Sequence, residues 1–363
     1  MSEAQAVSGV ARQFQIGGEF RSDTRYGSGH INDTYCVVFE QAGAVARFIV
    51  QRINCGIFKN PVALMENIHR VTSHLAAQMA GEPESGRRVL TLIPARAGQA
   101  WHVDAEGNYW RAYRFIEGAC TYDAVESAEQ AFEAAKAFGR FQQLLSNLPA
   151  PRLHDTIPNF HNTPKRFLAL EQAIAADVAG RSQLARKEIE FALARKSMAC
   201  VLLDANLPER VTHNDTKFSN VLLDDATGEG ICVVDLDTVM PGLALYDFGD
   251  MVRTTTSPAM EDERDLSRVT MQFEMFEALV RGYLQSAGGF LTKAEKQYLA
   301  FSGKLITFEQ GIRFLADYLA GDTYYKVQRE GQNLDRCRTQ FKLIESIEEQ
   351  EERMERLVEA IMH

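Results

Sequence analysis

The chain lacks several features that would assign it to a well-defined class. Its six cysteines are scattered over 363 residues without a C-x-x-C pair, so we expect reduced thiols in a cytoplasmic protein. No apolar run approaches the roughly 18–20 residues that a membrane-spanning helix needs. The N-terminus shows no basic segment followed by an apolar one, as a signal peptide would. These absences predict a soluble protein that does not act at a membrane.

Positive charge is also scarce. The chain has 39 Lys and Arg against 49 Asp and Glu, a formal net charge of -10, which argues against a general nucleic-acid-binding protein. It has neither a Walker loop of the form G-x-x-x-x-G-K-[ST] nor a Cys-x-Pro-x-Arg segment. The His and Asp residues form no dense metal-binding pattern, so hydrolases such as sulfatases are not indicated. The sequence implies no nucleic-acid, membrane or protein partner.

The first 118 residues alternate apolar runs and turns. Asn60 and Pro61 are residue types favoured at the N-cap and first position of a helix. Four apolar runs flank this helix and are typical of strands: 35–39, 46–52, 88–93 and 109–116. Strand, strand, helix, strand, strand is the order of a protein-kinase N-lobe.

The remainder of the chain favours long helices. Ser127 and Gln130 have the spacing of a capping box and open a helix that should end near Leu145. Further helices are expected at about 164–204, 262–286, 292–320 and 334–361. We therefore predict an α+β, bilobal, protein-kinase-like fold. Its small β-rich N-lobe comprises residues 1–118 and binds a nucleotide, and its large helical C-lobe comprises residues 119–363 and carries catalysis and substrate binding.

One stretch between these helices carries the chemistry. His213, Asp215 and Asn220 form the pattern H-N-D-x-x-x-x-N, and the apolar run 231–234 leads into Asp235. Phosphoryl transfer needs a carboxylate to orient the acceptor hydroxyl, and an amide and a second carboxylate to hold metal on the phosphates. We assign Asp215 as the catalytic base, and Asn220 and Asp235 as ligands of Mg²⁺, with ATP as the co-substrate.

Two further aspartates follow the motif. Asp237 lies two residues past Asp235, so it would point the same way if the strand continued. It is either a second metal ligand or a structural residue. Asp247 begins an Asp-Phe-Gly triplet but lies too far after Asp215 for the metal role. We expect Asp247, together with His213, to support the catalytic loop by hydrogen bonds.

Nucleotide contacts are predicted in the N-terminal part. Gly27, Ser28 and Gly29 lie between two strand candidates, where a backbone loop could approach phosphates, although such a segment can also be a plain turn. Arg52 stands where a kinase has its phosphate-contacting lysine, and Glu66 is its candidate partner; the alternative is a surface ion pair. Backbone groups around Glu117, in the segment 115–118, are expected to bind the adenine edge.

Several segments carry a family resemblance. The runs 213–217 and 234–242 resemble the aminoglycoside phosphotransferase and choline kinase superfamily, and the match is closest to its N-acetylhexosamine 1-kinase branch. Other similar segments are 27–35, 51–54, 157–161 and 311–318. The resemblance implies that ATP phosphorylates the anomeric hydroxyl of N-acetylglucosamine or N-acetylgalactosamine. Asp215 would be the base and Asp235 the metal aspartate.

The resemblance also implies substrate residues. Arg313 and Tyr324 would hold the sugar and its N-acetyl group, and His30 would reach the sugar from the glycine-containing loop. A shift of one residue would exchange Tyr324 for Tyr325, and Arg313 could instead lie on a helix surface. Two other hypotheses stay open. One is a kinase of an aminoglycoside, a choline-like amino alcohol or another sugar, and the other is an inactive ATP-binding pseudokinase. Nothing in the sequence fixes the C4 epimer.

Overall fold

The computed structural model describes residues 3–27 and 31–362, which form a β-sheet in the N-terminal part and mostly helices in the C-terminal part. This arrangement confirms the predicted α+β fold class. The strands are β1 (Glu19–Arg25), β2 (Asp33–Gln41), β3 (Ala44–Arg52), β4 (His102–Val103), β5 (Tyr109–Arg114), β6 (Ala119–Cys120), β7 (Arg210–Thr212), β8 (Val221–Asp224), β9 (Gly230–Val233) and β10 (Met240–Gly242).

The helices lie mainly after the sheet. They are α1 (Glu3–Ala11), α2 (Pro61–Gln78), α3 (Ser85–Arg88), α4 (Ala128–Leu145), α5 (Thr163–Ala176), α6 (Arg186–Ala194), α7 (Val201–Asp204), α8 (Ala244–Thr255), α9 (Phe273–Ala287), α10 (Lys293–Gln297), α11 (Leu299–Leu319), α12 (Gln332–Glu348) and α13 (Glu351–Met362). In the described ranges, none of these helices is both long and apolar enough to cross a bilayer.

The N-terminal sheet is antiparallel, with the strand order β1-β2-β3-β5-β4. Strands β2 and β3 pair along their whole length. Between them, Ala42 and Gly43 have φ angles of 51° and 84°, which are the left-handed conformations of a two-residue type I′ hairpin turn. The strand pair predicted from 35–39 and 46–52 is therefore confirmed.

Helix α2 begins where the sequence predicts. The Asn60 side chain accepts a hydrogen bond from the Ala63 N–H at 3.1 Å, and Pro61 is the first helical residue. Side chains at helical spacing bury one face of α2 in the main hydrophobic core; they are Leu64, Ile68, Val71 and Leu75, followed by the C-cap residue Met79. The helix thus packs against the main hydrophobic core of the chain.

The strand predicted at 88–93 is wrong. Helix α3 extends to Arg88, and only Leu92 forms a β-bridge, to Tyr113 of β5. Two hydrogen bonds flank this bridge, from Ile93 N–H to the Ala112 carbonyl and from Arg114 N–H to the Thr91 carbonyl. Proline has no N–H to donate to a ladder, so Pro94 ends the pairing.

Two predicted helices are interrupted or shortened. The segment 164–204 breaks after α5, where Asp177 has a φ of 36° and its side chain accepts from the N–H groups of Arg181 and Ser182. Helix α9 begins at Phe273 rather than near 262, because the Asp265 side chain caps a short 3-10 turn over Leu266–Arg268. Helix α8 was not predicted.

Helices α4 and α9 cross closely, and α4 also packs against the β8–β9 hairpin. A Cβ atom at Gly282 of α9 would lie 2.1 Å from the carbonyl oxygen of Phe132, and one at Gly139 of α4 would lie 2.8 Å from that of Tyr283. Only glycine permits this approach. The crossing brings the Tyr283 hydroxyl to the Gln142 side chain, which in turn contacts α8.

Short strands position the motif residues. Strand β7 pairs with β10, and the β8–β9 hairpin is extended by β6. The loop 213–217 therefore lies between β7 and a 3-10 turn at Phe218–Asn220, while Asp235 lies between β9 and a second 3-10 turn at Leu236–Thr238. The two segments are joined by hydrogen bonds from His213 Nε2 to the Val234 carbonyl oxygen at 2.9 Å and from the Val234 N–H to the Asn220 carbonyl oxygen at 2.9 Å.

Candidate active site

The loop after β7 is fixed by one buried carboxylate. Asp247 on α8 accepts hydrogen bonds from the backbone N–H groups of His213 at 2.8 Å and Asn214 at 2.6 Å, and from the Gln142 side chain at 2.5 Å. The His213 ring donates through Nε2 to the Val234 carbonyl oxygen at 2.9 Å. Asn214 has a φ of 65°, a conformation that persists in a non-glycine residue only where its surroundings hold it. These contacts fix the backbone on which Asp215 stands.

Asp215 is surrounded by hydrogen-bond donors. Its Oδ2 lies 3.0 Å from Lys217 Nζ and 3.1 Å from Asn220 Nδ2. Asn220 Nδ2 also donates to the Asp215 carbonyl oxygen at 2.8 Å, so the amide oxygen of Asn220 is the atom left for a cation. Burial acts to raise the pKa of Asp215, but the Lys217 charge and the hydrogen bonds from Lys217 and Asn220 keep it below its ordinary value. Asp215 is therefore a carboxylate that can accept a proton.

Asp235 faces the same space. It has a φ of 59° and lines one cavity with Lys217 and Asn220. Burial and then the charges of Asp237 and Asp215 raise the pKa of Asp235 to about 6. A divalent cation would relieve this repulsion. Carboxylate and amide oxygens are also the ligands that Mg²⁺ takes from proteins, so Asp235 and Asn220 fit this ion.

The rest of the cation's coordination would come from outside the protein. In the described part of the chain, no three His, Cys, Asp or Glu side chains converge as a metal site. Mg²⁺ usually retains water and is bound through a few protein oxygens together with substrate phosphates. The donor pair of Asn220 and Asp235 therefore suits a cation that arrives with a nucleotide.

Asp237 is engaged elsewhere. One carboxylate oxygen pairs with the guanidinium of Arg111, and the other accepts from Asn32 Nδ2 at 2.6 Å. Both side chains of the ion pair are almost fully buried, with 1% of Arg111 and 4% of Asp237 exposed. Of the two roles considered for Asp237, this geometry favours the structural one.

A cavity of about 640 Å³ lies between the N-terminal sheet and the β8–β9 hairpin. Ile49 and Tyr113 form its sheet side, and Leu222 and Val234 form the opposite side. Lys217, Asn220 and Asp235 are its charged and polar end. A flat, largely apolar ligand with a charged tail matches this arrangement.

The segment that joins the sheet to the helical part borders the cavity at Ile116. Among the described residues, the backbone N–H and carbonyl groups of Ile116 have no hydrogen-bond partner. Arg87 holds the next two residues by donating to the carbonyl oxygens of Glu117 at 3.0 Å and Gly118 at 2.9 Å. The Glu117 carboxylate pairs with exposed Arg47. Glu117 thus fixes this segment through its ion pair, whereas the backbone N–H and carbonyl groups of Ile116 stay available to a ligand in the cavity.

Arg52 and Glu66 do not form the predicted pair. Successive side chains of β3 point to opposite faces, so Ile49 and Gln51 line the cavity while Arg52 points away from it. Arg52 donates through Nε to Asp33 at 2.9 Å. Glu66 contacts His154 Nε2 at 2.7 Å instead.

The glycine-containing loop is described only in part. Gly27 has a φ of 79° and lines the cavity, which is consistent with a close backbone approach to a ligand. Ser28, Gly29 and His30 lie outside the described residues. Their predicted contacts stay predictions.

Arg313 belongs to a polar and aromatic group on the helical side. Its guanidinium lies 5.5 Å from the ring centre of Phe160 and 5.8 Å from that of Tyr325. Gln310 accepts from Arg313 at 3.1 Å and donates to the Tyr325 hydroxyl at 3.2 Å. Tyr324 is 65% exposed. Of the two tyrosines, Tyr325 is therefore the one joined to Arg313.

This group reaches the catalytic loop through two side chains. His161 lies 2.8 Å from Glu309 through Nδ1 and 3.3 Å from the Asn214 carbonyl oxygen through Nε2. On the other side, Asp250 accepts from the Thr216 N–H at 2.9 Å and pairs with Arg253 at 2.8 Å. Both backbone neighbours of Asp215 are thus held by the helical part.

Several functional candidates were missed by sequence reasoning. Lys217 is inside the quoted motif, two residues after Asp215, and its position alone could have indicated it. Arg111 interrupts an apolar strand, which is a signal for a buried charge with a partner. The position of Gln51 in the cavity wall could have been predicted from the alternation of side chains along β3. His161 and Glu309 are 148 residues apart, so no local pattern connects them.

Comparison with known families agrees with this geometry. Residues 23–286 match a family described as the phosphotransferase enzyme family. The chain belongs to this family. The matched range contains most of the sheet, the loop 213–217 and Asp235, but it ends before Arg313 and Tyr325. The part shared with the family is thus the part that holds the cavity and its polar end.

Solved structures show the same fold at low sequence identity. An aminoglycoside phosphotransferase from Alicyclobacillus acidocaldarius has a TM-score of 0.63 and 11% identity, over 97% of this chain and 96% of that one. Spectinomycin phosphotransferase, in complex with ADP and spectinomycin, has a TM-score of 0.59 and 13% identity, over 96% and 98%. Choline kinase from Cryptosporidium parvum has a TM-score of 0.56 and 14% identity, over 99% of both chains.

Proposed function

We propose that this phosphotransferase transfers the γ-phosphoryl group of ATP to a hydroxyl of a small molecule, and that the acceptor is the anomeric hydroxyl of an N-acetylhexosamine. The observation that carries the reaction type is the convergence of Asp215, Asn220 and Asp235 at the polar end of the cavity. In this proposal, residues 1–118 form the nucleotide-binding lobe and residues 119–363 the catalytic lobe.

The mechanism assigns one role to each group at this end. Asp215 orients the acceptor hydroxyl and takes its proton, while the hydroxyl oxygen bonds to the γ-phosphorus and the bond to the β-phosphate oxygen breaks, releasing ADP. Asn220 and Asp235 would hold Mg²⁺, which neutralises phosphate charge when bound. Lys217, beside Asp215 and in the cavity wall, keeps Asp215 deprotonated and adds positive charge near the transferred group.

The nucleotide side of the cavity supports ATP as the co-substrate. The base would lie between Ile49 and Tyr113 on one side and Leu222 and Val234 on the other. The free backbone N–H and carbonyl groups of Ile116 would form hydrogen bonds with the polar edge of the base. Gly27 would bring the loop backbone to the phosphates, with Ser28 and Gly29 next to it in sequence.

The acceptor side supports a neutral, oxygen-rich substrate. Three guanidinium groups lie there, those of Arg166, Arg253 and Arg313. The nearby carboxylates pair with other groups, Glu309 with His161, and Asp250 and Glu261 with Arg253. These three guanidinium groups would repel a cationic acceptor such as an aminoglycoside or choline. The nearby Phe160 and Tyr325 rings already face the Arg313 cation, so this charge distribution disfavours such acceptors. Arg313 donates in a fork geometry suited to sugar oxygens, and Tyr325 offers a ring face.

A phosphate-acceptor screen tests the proposal. The purified enzyme with Mg²⁺ and ATP is given N-acetylglucosamine, N-acetylgalactosamine, glucose, choline and kanamycin, and ADP release is measured for each. We expect turnover with the N-acetylhexosamines. The product should give a phosphorus NMR signal coupled to the anomeric proton. No turnover with either N-acetylhexosamine, or a product phosphorylated at another position, would refute the acceptor assignment; the same screen run with Asp215→Asn controls for contaminating kinases.

A further inference from the structure

Arg111 is a fully buried cation in the N-terminal sheet. It lies on β5, opposite Gln51 of β3 in the strand register, and 1% of its side chain is exposed. Its Nε donates to the Gln51 side chain at 2.9 Å, and its Nη1 pairs with Asp237. Since Asp237 follows β9 in the helical part, the ion pair joins the two sides of the cavity.

Asp237 lies in the segment that carries the metal aspartate. It is in the 3-10 turn Leu236–Thr238, directly after Asp235. Its backbone carbonyl also accepts from the Thr156 hydroxyl at 3.1 Å. Asp235 has a left-handed backbone, which costs free energy in an aspartate and needs support from its surroundings. Asp237 is anchored on both its side chain and its backbone, so it is positioned to give that support.

The same carboxylate holds the segment that follows the glycine-containing loop. Asn32 donates to the second oxygen of Asp237 at 2.6 Å and accepts from the Asn54 N–H at 3.0 Å. One buried aspartate therefore contacts the sheet through Arg111 and the start of β2 through Asn32. In protein kinases the buried pair near the phosphates is a strand lysine with a helix glutamate; here the cation and the anion come from opposite sides of the cavity.

We propose that Arg111 and Asp237 act as a positioning pair that fixes Asp235 and the segment at Asn32, so that the metal–nucleotide site is formed before the nucleotide binds. This inference rests on the proposed function, because it takes Asp235 as the metal ligand. In this inference, neither Arg111 nor Asp237 contacts the metal. Their effect on metal binding is indirect, through the backbone of 235–238 and the side chain of Asn32.

The rival explanation is that Asp237 is itself a metal ligand. In that case Arg111 competes with the cation for the carboxylate, and removing Arg111 would leave metal affinity unchanged or higher. If the pair positions Asp235, removing either member lowers metal affinity. The two explanations thus predict opposite results for substitution of Arg111.

The test measures the affinity of Mn²⁺ for the ADP-bound protein by electron paramagnetic resonance, with Arg111→Gln, Asp237→Asn and the double variant. We expect each single variant to weaken Mn²⁺ binding by about tenfold, as for residues that orient metal ligands. The double variant should bind Mn²⁺ with about the same affinity as the more strongly affected single variant, because both changes remove the same contact. Arg21→Gln, which removes an exposed ion pair of β1 and β2, is the matched control and should bind within about twofold of the wild type.

Hydrogen exchange without nucleotide gives a second readout. We expect faster exchange of amides 31–34 and 235–238 in Arg111→Gln and Asp237→Asn, and no change in Arg21→Gln. Weakened Mn²⁺ binding in Asp237→Asn alone, or unchanged exchange in both, would overturn the inference. Should Arg111→Gln fail to fold, Arg111→Lys keeps the charge but loses the fork, and it must show the same two effects to a smaller extent. Failure of the wild type to bind Mn²⁺ with ADP would contradict the proposed function instead.

Discussion

The two sides of Asp215 differ in charge and in construction. On the nucleotide side, the cavity walls are apolar, and polar groups are concentrated at one end. On the acceptor side, Arg253 and Arg313 lie among aromatic rings and hydrogen-bonding side chains. In the proposed reaction, a flat base would stack between the apolar walls, and the fork donors would hold an oxygen-rich acceptor. The difference indicates that the reaction centre lies at a boundary between two kinds of recognition.

Asp215→Asn removes the group that the two sides share. We expect kcat to fall by roughly 10³–10⁴-fold, in the upper part of the range for loss of a general base. ADP affinity should stay within about twofold, since the cavity walls are untouched. Steady-state kinetics with an N-acetylhexosamine and calorimetric ADP titration measure the two quantities. Asp204→Asn, on the exposed end of α7, is the control and should match the wild type.

The grouping of Asp215, Asn220 and Asp235 could be predicted from sequence because its determinants are local, whereas Arg52, Glu66 and Glu117 do not line the cavity. The four-residue spacing between Asp215 and Asn220, and the strand before Asp235, are readable without tertiary information. The exceptions involve side-chain direction. Arg52 and Gln51 are adjacent, and only the pairing of β3 with β5 decides which of them faces the cavity. Asp237 could not be assigned because its partner Arg111 is 126 residues away.

Lys217→Gln sharpens the comparison by acting on Asp215 and the polar end of the cavity, away from the group around Arg313. We expect kcat to fall by roughly 10²-fold, the cost of losing one charged donor near the transferred phosphate. The pH profile should also change. Lys217 lowers the pKa of Asp215 against the effect of burial, so its removal raises that pKa. The base is active only when deprotonated, and the acid limb of the rate profile should therefore move to higher pH.

An unchanged acid limb in Lys217→Gln would mean that Asp215 is not the titrating base. Lys59→Gln is the control, because it removes a lysine from the exposed segment before α2. Its pH profile should superimpose on that of the wild type. Acceptor KM should change by less than about threefold in both variants, since neither residue contacts the group around Arg313.

The acceptor-side residues could be predicted only through the family resemblance, and the reason is physical. Its residues come from separate parts of the chain, with Phe160 and His161 before α5 and Arg313 on α11. Arginines on helix surfaces are common, so the sequence around Arg313 does not show that it is turned inward. The long α11 buries most of its faces, and its exposed face cannot be found from periodicity alone.

Arg313→Gln tests the acceptor side. Loss of a charged hydrogen bond typically costs about 1.5–3 kcal/mol, so we expect kcat/KM for the acceptor to fall by roughly 10–100-fold. The KM for ATP should be unchanged. Kinetics with each substrate varied in turn separate the two effects, and Arg186→Gln, an exposed residue of α6, is the control. An equal rise in both KM values would show that Arg313 acts through the fold and not through the acceptor.

The smallest expected effect distinguishes the two tyrosines. The Tyr325 hydroxyl accepts from Gln310, which also accepts from Arg313, whereas Tyr324 is largely exposed. A neutral hydrogen bond is worth about 0.5–1.5 kcal/mol, so Tyr325→Phe should raise acceptor KM by roughly 2–10-fold. Tyr324→Phe is the matched variant and should change it by less than about twofold. The reverse order would mean that Tyr324 turns toward the acceptor when it binds, as the resemblance implied, and that the contact between Tyr325 and Gln310 serves only to hold α11.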